Sequence, residues 1–140
     1  MIKKFCKICI ITFIFQASAI AKSEYFLEGI NLFNKNKFEE AKFKFEQDIV
    51  FNPKSELSYL YLSKIFNKQE KKNLEEQNLN TVMILNPKNE EAIYYLAKLK
   101  LLNSDYKKSN ELNNKLKSIC TKYCNESDKL KIEIENLSKK

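Results

Sequence analysis

Cys120 and Cys124 stand four residues apart in the stretch CTKYC, and they are the side chains in this sequence best suited to chemistry. Such a pair can serve as a structural disulfide, as a redox-active dithiol, or as half of a zinc site. Zinc would need two further ligands, and the chain holds no His. Its other two cysteines, Cys6 and Cys9, lie in an N-terminal segment read below as removed. Redox motifs favour C-x-x-C at a helix start within a βαβ pattern, and neither the spacing nor the pattern is present. Lack of His also excludes Ser-His-Asp and Cys-His couples and the HExxH metal site. A single Gly excludes Gly-rich phosphate loops and dinucleotide fingerprints, which need backbone without Cβ at several points. The sequence therefore argues against an enzyme, and no cofactor or metal is expected.

The net charge is +7, yet all 25 basic residues are Lys. Readers of nucleic acid lean on Arg for bidentate contacts to bases and phosphates. Lys, Asn, Ile, Phe and Tyr are abundant while Gly and Pro are scarce, a skew that AT-rich codons produce unaided. Most of the Lys residues read as solvated helix faces, and no nucleic-acid partner is expected.

The start of the chain has the order of an export signal. Lys3, Lys4 and Lys7 precede an apolar run from Ile8 to Phe15, followed by the small residues Ala17, Ser18, Ala19 and Ala21. The run is shorter than the roughly 20 apolar residues a bilayer span takes. Residues 1–21 are expected to be a signal peptide cleaved after Ala21, with Ala19 as the second choice, and the mature protein to be periplasmic or secreted. Loss of three Lys leaves 22 Lys against 18 acidic residues, a mature charge of +4. In an exported chain two neighbouring Cys oxidise together, so Cys120 and Cys124 are expected to form a disulfide. Their spacing fits poorly inside a regular helix, which places them at a joint where the backbone turns.

The elements that must position the pair are helices. Apolar residues recur at spacings of three and four from Tyr25 onward. Breaks fall at NKNK (34–37), at Pro53, at NKQEKK (67–72), at Pro87 and at NSD (103–105). Ser55 and Asn89 are placed to cap the helices after each proline, with Glu56, Glu90 and Glu91 in the first turns. The stretches FNPKSELSYLYL (51–62) and LNPKNEEAIYYL (85–96) repeat one pattern, with Pro53 and Pro87 at the same place in each. A helix pair that fits between those two prolines is too short to bury its apolar faces alone; stacking like pairs lets each cover the last. After the third pair, SDKLKIEIENL (127–137) supplies one more helix, capped by Ser127 or Asp128, with Leu130, Ile134 and Leu137 on one face.

This pattern resembles the tetratricopeptide repeat. Unit one (22–55) is similar to the family through Tyr25, Gly29, Phe38, Ala41, Phe45 and Pro53. Unit two (56–89) carries Tyr59, Leu62, Ser63 and Pro87 but departs at Lys72 and Glu75, where an aromatic and Ala are expected. That departure predicts a second helix shifted by one residue to use Leu74. Unit three (90–123) carries Leu96, Ala97, Tyr106 and Ser109 and lacks the closing Pro. The resemblance implies an all-α tetratricopeptide-type solenoid of three helix-turn-helix repeats, with residues 124–140 as a C-terminal capping helix.

The resemblance also implies a role: binding a protein or peptide in a concave groove lined by the first helix of each unit. By that likeness the groove residues are Phe26, Ile30 and Phe33; Leu60, Lys64 and Asn67; and Tyr94, Lys98 and Leu101. Independently, Tyr25, Gly29 and Leu32 already form a packing stripe on the first helix, which leaves Phe26, Ile30 and Phe33 as surplus apolar surface. The expected function is a non-catalytic scaffold of the bacterial cell envelope with a protein or peptide partner. The competing class is a thiol-disulfide accessory protein working through Cys120 and Cys124. No membrane span is expected to remain after signal removal.

Overall fold

The computed structural model describes residues 22–139. The expected signal peptide and its cleavage site lie outside the described residues. Seven helices follow one another: α1 (Glu24–Asn34), α2 (Phe38–Phe51), α3 (Glu56–Lys68), α4 (Lys72–Leu85), α5 (Glu90–Leu102), α6 (Tyr106–Ile119) and α7 (Cys124–Ser138). No strand occurs among the described residues. The first six form the pairs α1–α2, α3–α4 and α5–α6; each pair packs on the next, and α7 covers α6 and part of α5. The architecture is an α-solenoid of helix-turn-helix units.

The repeat period is carried by backbone as well as side chains. Asn36, Glu70 and Ser104 follow one another at the interval that separates Pro53 from Pro87. All three take left-handed φ values, 59°, 57° and 60°, in the turn inside each pair. Asn tolerates that conformation; Glu and Ser occupy it at a cost of about 1–2 kcal/mol. Gly29, Ser63 and Ala97 also keep the period and place a small residue where the two helices of a pair cross. Between pairs, the N–H groups of Asn52, Asn86 and Cys120 close the preceding helix on the carbonyls of Asp48, Val82 and Leu116. Cys120 thus occupies the joint position that Asn holds twice before.

A carboxylate at the start of a first helix then clamps the following joint. Glu56 Oε1 accepts from the side-chain amides of Asn86 (3.0 Å) and Asn89 (2.5 Å). One unit later Glu90 accepts from the backbone N–H groups of Thr121, Lys122 and Tyr123 (each 2.9 Å) and from the Thr121 hydroxyl. These four donors hold the Glu90 carboxyl down at about 2. In the first unit, buried Asp48 accepts from the hydroxyls of Ser23 and Ser58, tying α1, α2 and α3 together.

Three local expectations are corrected. Glu75 keeps the buried register position at 3% exposure while Leu74 is 40% exposed, so α4 does not shift. Ser55 sits at the start of α3 but donates to the Ser58 hydroxyl and caps nothing, whereas Asn89 accepts from Ala92 N–H as expected. Helix α7 begins at Cys124, not at Ser127 or Asp128. Ser127 is buried in its first turn and exchanges hydrogen bonds with Asn113 of α6. Leu130 and Ile134 pack inward, but Leu137, near the end of the helix, is 39% exposed.

Candidate functional site

The first helices α1, α3 and α5 present their side chains to a common cavity of about 320 Å³. Phe33 of α1 and Tyr95 of α5 stand among its walls, with Ser63, Lys64, Asn67 and Lys68 of α3 between them. The one contribution from a second helix is Glu75 of α4. Its Oε1 accepts from Asn67 Nδ2 at 3.1 Å. Burial pushes the Glu75 carboxyl above its ordinary 4.5, against the opposing pull of the Asn67 bond and the Lys72 charge.

The lysines around the cavity are already engaged. Lys64 Nζ lies 2.6 Å from a Glu91 oxygen and 4.7 Å from the Tyr61 ring centroid. Lys68 Nζ lies 5.0 Å from the centroid of Phe38. At the far end Tyr94 meets Tyr95 edge-on (5.4 Å) and lies 5.5 Å from Tyr123, while Lys98 Nζ is 5.7 Å from the Tyr94 ring. Burial and the neighbouring Glu91 carboxylate raise the phenols of Tyr95 and Tyr123 above their ordinary value of 10.0.

Of the nine residues expected in the groove, Phe33, Lys64 and Asn67 line the cavity. Tyr94 and Lys98 lie half-buried in the adjoining aromatic cluster. Ile30 is half-buried against the core of the first unit. Phe26, Leu60 and Leu101 are core residues. Phe26 is 2% exposed, enclosed by Phe45 and Tyr61. Surplus apolar surface on α1 therefore does not include it: α3 arrives on that side and covers it. Sequence reasoning placed none of Ser63, Lys68, Glu75 and Tyr95 in the groove. The signal for Glu75 was a pair of departures within one unit. Asn67 stands where the neighbouring units have Phe33 and Leu101, and Glu75 stands where they have Ala41 and Ser109.

Cys120 and Cys124 are joined, with S–S 2.09 Å and Cα–Cα 5.3 Å. Cys120 ends α6 and Cys124 opens α7, so the bridge brackets the turn that Glu90 clamps. No cluster of three or more His, Cys, Asp or Glu able to hold a metal occurs among the described residues. None of the described helices is long and apolar enough to cross a membrane.

No protein-family model and no curated protein sequence matches the chain. Solved structures do. The TPR2B domain of yeast Sti1 in complex with pHsp70 superposes with a TM-score of 0.75 at 17% identity, over 81% of this chain and 95% of that one. The Yersinia enterocolitica secretion chaperone SycD, with a peptide of the translocator YopD, gives 0.73 at 13%, over 83% and 92%. The Aspergillus fumigatus Sgt2 TPR domain gives 0.70 at 14%, over 83% and 80%. The fold is the tetratricopeptide repeat. At these identities the likeness lies in the backbone path, which the repeat period and the small crossing residues impose. In tetratricopeptide terms, Glu75 takes the place of the small residue of the second helix, and the disulfide takes the place of the third Asn-Pro joint.

Proposed function

We propose that this tetratricopeptide chain is a non-catalytic scaffold that binds a protein or peptide along the row of first helices α1, α3 and α5. The observation that carries the reading is the cavity itself. Three successive first helices converge on one opening whose walls mix aromatic rings with hydrogen-bonding side chains, the composition of a recognition site and not of a packed core. Structures of similar fold, yeast Sti1 with pHsp70 and SycD with a YopD peptide, are complexes with such partners and support the reading. We place its action in the bacterial cell envelope, periplasmic or secreted, because residues 1–21 have the pattern of an export signal. The thiol-disulfide alternative rests on Cys120 and Cys124 alone, and their bridge stands at a joint that the other units build from Asn and Pro, a structural place.

The test is selection of a random peptide library on the mature chain. Binding of selected peptides should be lost in Tyr94→Ala and Lys98→Glu while both variants remain folded at the assay temperature. Failure to select any peptide, or binding that both variants leave intact, would overturn the groove.

A further inference from the structure

The middle unit differs from its neighbours at two positions that touch. At the positions where units one and three carry Phe33 or Leu101 and Ala41 or Ser109, unit two has Asn67 hydrogen-bonded to Glu75. Both substitutions are polar and both line the cavity. Burying a carboxylate is costly unless it is paired with a cation or richly hydrogen-bonded. Asp48, the other buried acid, meets that demand with two hydroxyl donors. Glu75 has a single donor, Asn67, and belongs to none of the ion pairs among the described residues. Lys64, which shares the cavity, is held by Glu91, and Lys68 lies over Phe38.

We propose that Glu75 is the specificity-determining acceptor of the groove, and that the cavity receives a cationic side chain, Lys or Arg, of the bound peptide. This rests on the groove reading above and names what the groove selects. The incoming cation supplies the direct ion-pair partner that Glu75 lacks, since Lys72 acts on it only through its charge and places its own Nζ on Asn103. The rings of Phe33 and Tyr95 among the walls suit an ammonium or guanidinium, which is attracted to aromatic faces. An acidic side chain would share the cavity with the Glu75 carboxylate, and only Lys68 would be open to it, because Lys64 is already held by Glu91.

Peptides selected on the mature chain test this. Each is remade with its Lys and Arg residues replaced one at a time by Gln, and all are measured on wild type and on Glu75→Gln, which keeps the size of the side chain and its acceptor oxygen for Asn67. The expected result is one basic residue whose replacement weakens binding to wild type about tenfold or more and leaves binding to the variant nearly unchanged, the mark of a direct pair. Glu75→Ala, the residue type at position 41, is the second variant should Glu75→Gln melt early. Selected peptides that bind through Tyr94 and Lys98 but need no basic residue, that favour acidic ones, or that bind Glu75→Gln equally well would overturn the cation pocket while leaving the groove standing. If no peptide is selected, the groove reading fails and the pocket falls with it.

Discussion

Gly29 of α1 faces the ring of Phe45 across the crossing of α1 and α2, so closely that a Cβ at Gly29 would lie 2.7 Å from Phe45 Cε1 and 2.9 Å from Cδ1. Phe45 is fully buried and has nowhere to retreat. Gly29→Ala should therefore destabilise the fold by about 1–3 kcal/mol through overpacking, despite the gain of roughly 0.5–1 kcal/mol that Ala brings to a helix interior. Urea unfolding of the variant measures the net; a more stable Gly29→Ala would show that the ring yields.

The phenylalanines of the first unit should separate by burial. Phe26→Ala and Phe45→Ala each empty a core site and should cost about 3–5 kcal/mol. Phe33 is half-buried, edge-on to Phe38 and Tyr61, and its replacement should cost less than either. Thermal melts of the three variants side by side give the order, and a Phe26→Ala protein as stable as wild type would contradict the enclosure of that ring.

Glu90 sets an acid limit on the joint between α6 and α7. Its carboxyl lies at about 2 in the folded chain against an ordinary 4.5, so the folded state binds that proton less readily than the unfolded one. The stabilisation is complete above pH 4.5 and is lost as the pH falls through about 2. Glu90→Gln should melt lower than wild type at neutral pH and show a flatter fall in melting temperature over that acid range. Identical acid profiles for the two proteins would sink this account.

Glu75 carries the opposite sign. Its folded value is raised above 4.5, so its proton is held more tightly in the folded chain, and the folded state loses ground as the pH rises from 4.5 through the raised value. Glu75→Gln cannot ionise and escapes that loss. Its melting temperature should exceed that of wild type at neutral pH, with the difference closing once the solution is more acidic than 4.5. A variant less stable at neutral pH than in acid, relative to wild type, would reverse the sign and refute the argument.

The disulfide closes a very short loop, and chain entropy sets its contribution at about 2 kcal/mol at most. Because Glu90 also holds residues 121–123, reduction should lower the melting temperature modestly without unfolding α7. Thiol labelling of the unreduced mature protein should find no free thiol, and two reactive thiols per chain would contradict the bridge.

Period and residue type make the solenoid legible in the linear chain. Pro53 and Pro87 mark joints because proline cannot continue a helix, and Gly29, Ser63 and Ala97 recur at the same interval because only small side chains fit a close crossing. Both are local consequences of a residue's own shape, and a linear pattern records them. Cys120 and Cys124 were legible for the same reason: they are close neighbours in the chain, and a joint between helices was expected around them.

The binding face was only partly legible, because exposure depends on what arrives from elsewhere in the chain. Phe26 and Phe33 share a helix face, but Tyr61 of α3 packs against both while other neighbours complete the cover of Phe26 alone. Glu75 read as a break in the pattern and was expected to turn aside in favour of Leu74. Helix α4 kept its register because Leu79 and Val82, further along it, are fully buried and hold its orientation, which carries Glu75 inward with them. The sequence by itself determined the class, the period and the joints, which follow from the local geometry of helices and turns. Only the tertiary structure decided that Asn67 and Glu75 meet in the wall of one cavity, because their contact is made across two helices whose relative rotation is set by the sum of all the buried side chains between them.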